Sequence, residues 1–419
     1  MRLSRWLPIV LTAGLVLAAS VRAEDPALEA YARGDYPAVV ARITPEYEAG
    51  TASIQHRLLL VRAMLHLDTP DDARAVLQSV LDSDRENPEA NHLTGQILLQ
   101  GGQNEEALKY LKQAYRLKKD AATAAALGRC HYGLGDLAKA KPLLEEALAE
   151  DIRNPDNSLL LGRICLKRGL GALAERYLLA AEEAGMDTLD LRLRLGQAYL
   201  MQRKFTGPVL VRRLVPKPAG GDIVDGEVVL GAVHGSPDHY RVATRYCALY
   251  EGLRILARSP KHPEGLYLAA RGWFAAGRPE LGNGYRVELA KLEPGSRRVL
   301  ELEIEWLIDN ASLETLLASE AVKKAFSPAE IAKVHYRRGL RARAEGERKA
   351  ALGALQKAER LAPTSGEVLR ALAELTRAMG RRDAARGYYA RLVELFPDAA
   401  DIHELRNTLK VLREERGQS

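Results

Sequence analysis

Residues 105–117 read EEALKYLKQAYRL and indicate an α-helix with one apolar face. Leu108, Leu111 and Tyr115 follow one another at spacings of three and four residues, which brings them onto one side of a helix. Such a face needs a packing partner, because most helical stability in proteins comes from burying it. Residues 101–103 (GGQ) precede this helix and predict a tight turn from an antiparallel neighbour.

Three series of residues repeat along the chain with nearly one period. Glycines in helical surroundings recur every 33 or 34 residues, and prolines recur every 34 or 35 residues. The members are Gly95, Gly128, Gly162 and Gly196, then Pro260, Pro294, Pro328, Pro363 and Pro397, and finally Ala107, Ala140 and Ala174 with Ala351 and Ala385. Agreement between different residue types predicts one array of stacked units rather than several globular domains.

This pattern resembles the tetratricopeptide repeat family, whose unit of 34 residues is a pair of antiparallel helices. The repeat pattern is most complete in two units, one with Gly128 and Ala140 and the next with Gly162 and Ala174. It weakens from Trp306 to Pro328. The resemblance implies an all-α superhelical solenoid of antiparallel helix pairs. It also implies a scaffold that binds a partner and performs no chemistry, so we expect no catalytic residue and no cofactor.

One stretch interrupts the repeats at about 203–236. Residues 208–215 (PVLVRRLV) and 226–233 (GEVVLGAV) are rich in β-branched side chains and flank a turn cluster. They predict a β-hairpin or an irregular insertion, followed by a helix from about Asp238 to Ala257. The predicted organisation is a signal peptide at 1–23, repeats at 24–202, the insertion at 203–236, further repeats at 237–399, and a capping helix and tail at 400–419.

The N-terminal residues have the features of a secretory signal peptide. Arg2 and Arg5 precede an apolar run from Leu7 to Ala19, and a small residue, Ala23, ends the segment. The run is shorter than the roughly 20 residues that span a membrane as a helix. We therefore expect cleavage after Ala23 and export to the periplasm or beyond, with an uncleaved anchor helix as the alternative.

Positive charge is concentrated near the C-terminus. The chain has a formal net charge of +6, which falls to +3 when residues 1–23 are removed. Residues 332–419 hold 19 Lys or Arg against 12 Asp or Glu. Nucleic acid is not the expected partner of an exported protein. This basic end instead predicts contact with an anionic envelope surface or polymer, and simple solvation of exposed arginines is the alternative.

No arrangement of residues in this sequence is specific enough to predict an enzyme. His234 and His239 flank the insertion without a third residue at metal-ligand spacing, so no metal site is expected. Asp222, Asp225, Glu227 and His234 are the one group that could supply acid and base chemistry, and they keep an enzyme open as an alternative.

Three cysteines, Cys130, Cys165 and Cys247, are few for an exported protein built on disulfides. Their helical positions predict small buried side chains rather than a bridge.

The first helix of each unit lines a concave groove in the family that this chain resembles, and the residue after the small Gly or Ala points into it. That position holds Gln96, Arg129, Arg163, Gln197, Arg271, Glu305, Leu340 and Glu374 in this sequence. Lys167 and Arg194 add positive charge nearby. The predicted partner-binding residues are Gln96, Arg129, Arg163, Lys167, Arg194, Gln197 and Arg271.

Repeated guanidinium groups along one face suit an extended acidic protein or peptide segment. The predicted function is therefore a protein-interaction scaffold in the cell envelope or periplasm. An accessory role in the assembly or export of an envelope polysaccharide is a second hypothesis. The alternative to any groove function is that these residues are ordinary solvated positions of amphipathic helices.

Overall fold

The computed structural model describes residues 25–207, 209–213, 223–224, 227–233 and 236–414. This part of the chain contains 22 α-helices and four β-strands. It divides into two compact units, whose boundary in sequence lies between Arg203 and Lys204. The predicted signal peptide lies outside the described residues. Within them, no helix is both long enough and apolar enough to cross a membrane.

The described part of the first unit consists of five antiparallel helix pairs and a final single helix, and each helix packs against the next along the chain. The eleven helices are α1 (Pro26–Ala32), α2 (Tyr36–Glu48), α3 (Ile54–His66), α4 (Pro70–Ser83), α5 (Pro88–Gln100), α6 (Asn104–Leu117), α7 (Ala121–Gly133), α8 (Leu137–Glu150), α9 (Pro155–Lys167), α10 (Gly171–Glu183) and α11 (Leu189–Met201). The solenoid of helix pairs predicted from the sequence is confirmed.

Capping residues and glycines set the ends of these helices. Asn87, Asp120 and Asn154 cap α5, α7 and α9, and each accepts a hydrogen bond from a backbone N–H three residues later. The turns inside the pairs contain glycines with positive φ, such as Gly102 at 77° and Gly135 at 80°. A side chain would strain this backbone conformation, so glycine is the residue that permits the tight turn.

The glycines with the 34-residue period lie where the two helices of a pair cross. A Cβ atom built on Gly95 would stand 2.5 Å from Leu111, and one built on Gly162 would stand 2.6 Å from Leu178. These distances are far below van der Waals contact, so glycine is what lets the leucine of the second helix approach the first. The repeated glycines therefore mark the positions where the same helix crossing recurs.

The second unit begins with a small sheet and continues as helix pairs. Its strands are β1 (Val209–Arg213), β2 (Ile223–Val224), β3 (Glu227–Val233) and β4 (Ser236–Ala243). Its helices are α12 (Ala248–Arg258), α13 (Pro263–Ala275), α14 (Pro279–Leu292), α15 (Arg297–Leu307), α16 (Ser312–Ala318), α17 (Glu320–Ala325), α18 (Pro328–Ala344), α19 (Arg348–Leu361), α20 (Gly366–Ala378), α21 (Arg382–Leu395) and α22 (Ile402–Glu414). The short α16 and α17 replace one regular helix where the repeat pattern weakens.

The insertion is larger than predicted, and its pairing differs. The strands form an antiparallel sheet in the order β1-β4-β3-β2, so the two predicted strands are separated by β4 instead of pairing with each other. The start of the predicted helix at about Asp238 was wrong, because residues 236–243 form the inner strand β4, and the helix begins only at Ala248. Tyr240 and Val242 are buried while His239 and Arg241 are exposed, which is the alternation of a strand.

One face of the sheet packs on the helices that follow it in the second unit. Val228 and Leu230 join Leu249 and Trp273 in one buried cluster, and Arg278 donates a hydrogen bond to the backbone oxygen of Leu230 at 2.6 Å. The sheet is therefore part of the core of this unit. All three cysteines are buried and free, as predicted, although Cys247 precedes α12 rather than lying within a helix.

Candidate partner-binding face

One position on the first helix of every pair repeats through the first unit, and we call the surface around it the groove face. Its residues are Leu28, Arg62, Gln96, Arg129, Arg163 and Gln197. Sequence reasoning identified the last four and missed the first two. The repeat period could have identified both residues, since Arg62 lies 34 residues before Gln96 and Leu28 lies 34 residues before Arg62.

Arginines of the groove face bond to residues near the start of the next first helix. Arg62 forms an ion pair with Glu89 at 2.5 Å, and Arg163 donates to Asp190 at 2.7 Å. Arg129 approaches the Oδ1 atom of Asn157 at 3.5 Å. These contacts join successive repeats across the face. They also neutralise part of the positive charge that the sequence predicted to be available to a ligand.

Around Gln96 the groove face is largely buried and uncharged. Gln96 is only 7% exposed, and its Oε1 atom has no hydrogen-bond partner in the described part of the chain. The neighbouring His92 lies 3.2 Å from the hydroxyl of Thr123, and burial lowers the pKa of this imidazole to about 4. His92 is therefore neutral at physiological pH, because burial disfavours the charged form.

A cavity of about 420 Å³ opens at the C-terminal end of the groove face, and we call it the C-terminal cavity. Its lining combines cationic and polar side chains with apolar ones: Tyr132, Arg163, Leu166, Lys167, Arg194, Gln197, Leu200 and Met201. Helices α7, α9 and α11 supply these residues. Four of the seven predicted partner-binding residues, namely Arg163, Lys167, Arg194 and Gln197, are thus brought together here.

Within the described part of the chain, a single carboxylate pairs with the cations of the C-terminal cavity. Asp190 accepts hydrogen bonds from both Arg163 and Arg194, and Arg194 also donates to Gln197 at 3.1 Å. Lys167 forms no ion pair among the described residues. Its Nζ atom instead lies 4.5 Å from the centre of the Tyr132 ring, a cation–π contact that holds the ammonium group over the cavity.

A smaller cavity of about 140 Å³, which we call the N-terminal cavity, lies at the other end of the groove face. It is lined by Asp25, Leu28, Gln55, His56, Leu58, Leu59, Arg62 and Glu89. His56 bridges two carboxylates, with Nε2 at 3.0 Å from Asp25 and Nδ1 at 2.8 Å from Glu46. Burial acts to lower the pKa of His56, but the hydrogen bonds and charges of Glu46 and Asp25 outweigh it and raise the pKa.

In the second unit, the charged residues at the predicted groove positions are held in ion pairs. Arg271 stacks on Phe205 at 4.8 Å and lies 3.8 Å from Glu305, which also pairs with Arg337 at 2.5 Å. Glu374 pairs with Arg343 at 2.9 Å. Arg271, the predicted partner-binding residue of this unit, is therefore engaged by an aromatic ring and a carboxylate.

Several basic residues of the C-terminal region also have acidic partners. Arg341 pairs with Asp309 and Arg386 pairs with Asp383, in addition to the contact between Arg343 and Glu374. Part of the positive charge read from the sequence is therefore balanced by acidic partners. A contact with an anionic surface stays a prediction.

The structure covers one member of the acid and base group proposed for the insertion. Glu227 accepts hydrogen bonds from Arg212 at 3.1 and 3.2 Å, which is a cross-strand ion pair on the sheet. Asp222, Asp225 and His234 lie outside the described residues. His239 is exposed on β4, and no group of three potential metal ligands occurs among the residues that the structure describes.

Comparison with protein families assigns the repeats. Two models, both described as tetratricopeptide repeat, match this chain, one at residues 58–122 and 125–188 and the other at residues 342–409. The matched segments are therefore tetratricopeptide repeats, a family whose members act as scaffolds for protein interactions. A comparison with curated proteins found no match.

Solved repeat proteins resemble parts of the chain. YrrB, described as a TPR protein with an unusual peptide-binding site, is 15% identical with a TM-score of 0.41, and the match covers 54% of this chain and 97% of YrrB. Pseudomonas aeruginosa pilF is 15% identical with a TM-score of 0.41, covering 60% and 97%. The C-terminal part of a TPR repeat-containing protein from Cytophaga hutchinsonii is 14% identical with a TM-score of 0.39, covering 76% and 99%. These similarities concern the helical fold alone.

Proposed function

We propose that this protein is a non-catalytic scaffold whose groove face binds an extended acidic segment of a partner protein. The observation that carries the proposal is the C-terminal cavity, where three cations meet a single carboxylate beside an apolar wall. Lys167 is the most available of the three, since it is exposed and forms no ion pair among the described residues. A carboxylate of the ligand would supply the missing partner for its ammonium group.

The apolar wall adds a second requirement on the ligand. Leu166, Leu200 and Met201 line the same cavity as the cations, and 45% of the Met201 side chain is exposed. An aliphatic or aromatic side chain next to a carboxylate would fill this space and remove apolar surface from water. Methionine suits such a role because its flexible thioether adapts to different side chains.

Lys167→Glu is expected to weaken the binding of an acidic peptide at least tenfold, because the substitution replaces an attractive charge with a repulsive one. The probe is a fluorescein-labelled synthetic peptide with a leucine between two aspartates, and the readout is fluorescence anisotropy at low salt. The matched control is Lys109→Glu, which makes the same charge change on α6 at an exposed site. Equal affinity of the wild-type and Lys167→Glu proteins would contradict the proposal.

The fold of the variant should not change, since substitutions at exposed sites alter stability by about 0.5 kcal/mol or less. Circular dichroism of both variants checks this. A binding loss of the same size in the Lys109→Glu control would assign the effect to net charge rather than to the cavity.

We also propose that the protein acts outside the cytoplasm. The support is the charged start, short apolar run and small residue before Glu24. The expected result is a chain beginning at Glu24 when the protein is recovered from its native source without detergent and its N-terminus is determined by mass spectrometry. Recovery of a chain beginning at Met1 in a membrane fraction would contradict this location.

A further inference from the structure

The two cavities of the groove face differ in charge. We infer that they orient the bound peptide, with a basic residue of the ligand at the N-terminal cavity and its acidic and apolar residues at the C-terminal cavity. The inference rests on the proposed function, because it specifies which peptides the same face selects. It concerns the first unit alone, which contributes every residue of both cavities.

Carboxylates outnumber cations at the N-terminal cavity. Asp25 and Glu46 share the single imidazole of His56, and Glu89 pairs with Arg62. Three carboxylates therefore face at most two positive charges, even when His56 is protonated. Asp25 and Glu89 line the cavity and are each 27% exposed, so a lysine or arginine of the ligand can reach them.

The opposite balance holds at the C-terminal cavity. Arg163, Lys167 and Arg194 carry three positive charges against the one negative charge of Asp190, which is a net excess of two positive charges among the described residues. A ligand bound in reverse would place its cation beside these groups and its carboxylate beside Asp25 and Glu89. Both contacts would be repulsive, and close juxtaposition of like charges is strongly disfavoured at an interface.

The region between the cavities holds one charged groove residue, Arg129. Gln96 and Thr123 are uncharged and buried, and His92 is neutral at physiological pH. Burial lowers the pKa of the Arg129 guanidinium, and the charge of Asp156 acts in the opposite direction. The groups of opposite charge that orient the ligand are therefore those at the two ends of the face. The residues of the ligand that span the middle are expected to vary.

Helix spacing sets the length of the ligand. The N-terminal cavity is centred on α3 and the C-terminal cavity on α9, which are three first helices apart. With neighbouring helix axes about 10 Å apart, the cavities are separated by roughly 30 Å. An extended chain advances about 3.3 Å per residue, so about nine residues separate the basic residue from the acidic and apolar ones.

The test is a selection from a displayed library of random peptides of about 16 residues, with the purified full chain as bait. Three variants are selected in parallel. Asp25→Asn with Glu89→Gln removes two carboxylates from the N-terminal cavity, and asparagine preserves the helix cap that Asp25 provides. Lys167→Gln with Arg194→Gln removes two cations from the C-terminal cavity. Lys109→Gln is the control, and circular dichroism confirms that each bait is folded.

For the wild-type protein and the control, the enriched peptides are expected to combine an acidic and apolar cluster with a basic residue about nine positions away. The Asp25→Asn, Glu89→Gln variant should lose the basic preference at least tenfold and keep the acidic one. The Lys167→Gln, Arg194→Gln variant should show the reverse loss.

Three other outcomes would overturn the orientation or the proposed function. Enrichment of acidic peptides without a basic residue at a fixed spacing, or unchanged selection by the Asp25→Asn, Glu89→Gln variant, would overturn the inferred orientation and leave the proposed function intact. If the wild-type protein enriches no acidic peptides, both the proposed function and the orientation fail.

Discussion

Gly272→Ala is expected to lower the free energy of unfolding of the second unit by about 3 kcal/mol, because two helices cross there at backbone distance. A Cβ atom on Gly272 would stand 2.4 Å from the Cβ atom of Leu249 and 2.9 Å from its Cα atom. These atoms belong to or adjoin the backbone of α12, so no side-chain rotation can relieve the overlap. The helices must separate, and the packing of Trp273 against Leu249 and β3 loosens with them.

The matched control is Gly284→Ala on the neighbouring helix α14. A Cβ atom on Gly284 would meet no other atom within 4 Å, and the residue is exposed. This substitution should therefore stabilise the protein by about 0.5–1 kcal/mol, because alanine loses less backbone entropy than glycine in a helix. Urea unfolding followed by circular dichroism compares both variants with the wild type. A Gly272→Ala protein as stable as the wild type would show that the crossing tolerates separation.

The repeated crossings were predictable from the sequence because their cause is local. Gly128 packs against Leu144 and Gly162 against Leu178, and in both pairs the two residues are 16 positions apart. The same short helix, turn and helix therefore recur with the same close contact. The crossing at Gly272 could not be predicted in this way, because Gly272 lies outside the series of periodic glycines and its partner Leu249 precedes it in the sequence.

The sheet could not be derived in the same way. The pairing of β1 with β4 joins Val209 to Ala243, which are distant in sequence, and β3 intervenes between these strands along the chain. Strand order depends on which edges meet in three dimensions, and periodicity within each strand does not encode it. Polar and apolar residues alternate at 239–242, as they do in a strand, but the repeat pattern favoured a helix there and the sequence analysis predicted one.

The candidate site was predictable in position but not in electrostatics. The 34-residue period places Arg163 on the groove face, and the same period extended backwards would have included Arg62. The acidic partners Glu89 and Asp190 each follow their arginine by 27 residues, a spacing that has meaning only once the helices are stacked. The net charge at each end of the groove face could therefore be determined only from the structure.

Arg192→Met is expected to lower the free energy of unfolding of the first unit by about 2–4 kcal/mol, because it removes an almost fully buried cation that pairs with two partly exposed carboxylates. The Arg192 side chain is 2% exposed and bonds to Glu182 at 2.6 Å and to Asp187 at 2.7 Å. Glu182 lies on α10, Asp187 lies in the following turn, and Arg192 lies on α11. The guanidinium group thus fixes the connection that leads into the C-terminal cavity.

Methionine retains much of the volume of the arginine stem, so the expected loss reflects two carboxylates deprived of their partner rather than an empty space. Adding Glu182→Gln and Asp187→Asn to the Arg192→Met protein should recover part of the stability, because uncharged amides cost less to leave partly buried. The control is Arg153→Met, which changes an exposed arginine with no ion pair among the described residues. Thermal and urea unfolding give the comparison. An Arg192→Met protein no less stable than the Arg153→Met control would show that the carboxylates are adequately hydrated without the arginine, and the buried cluster would then carry no net stabilisation.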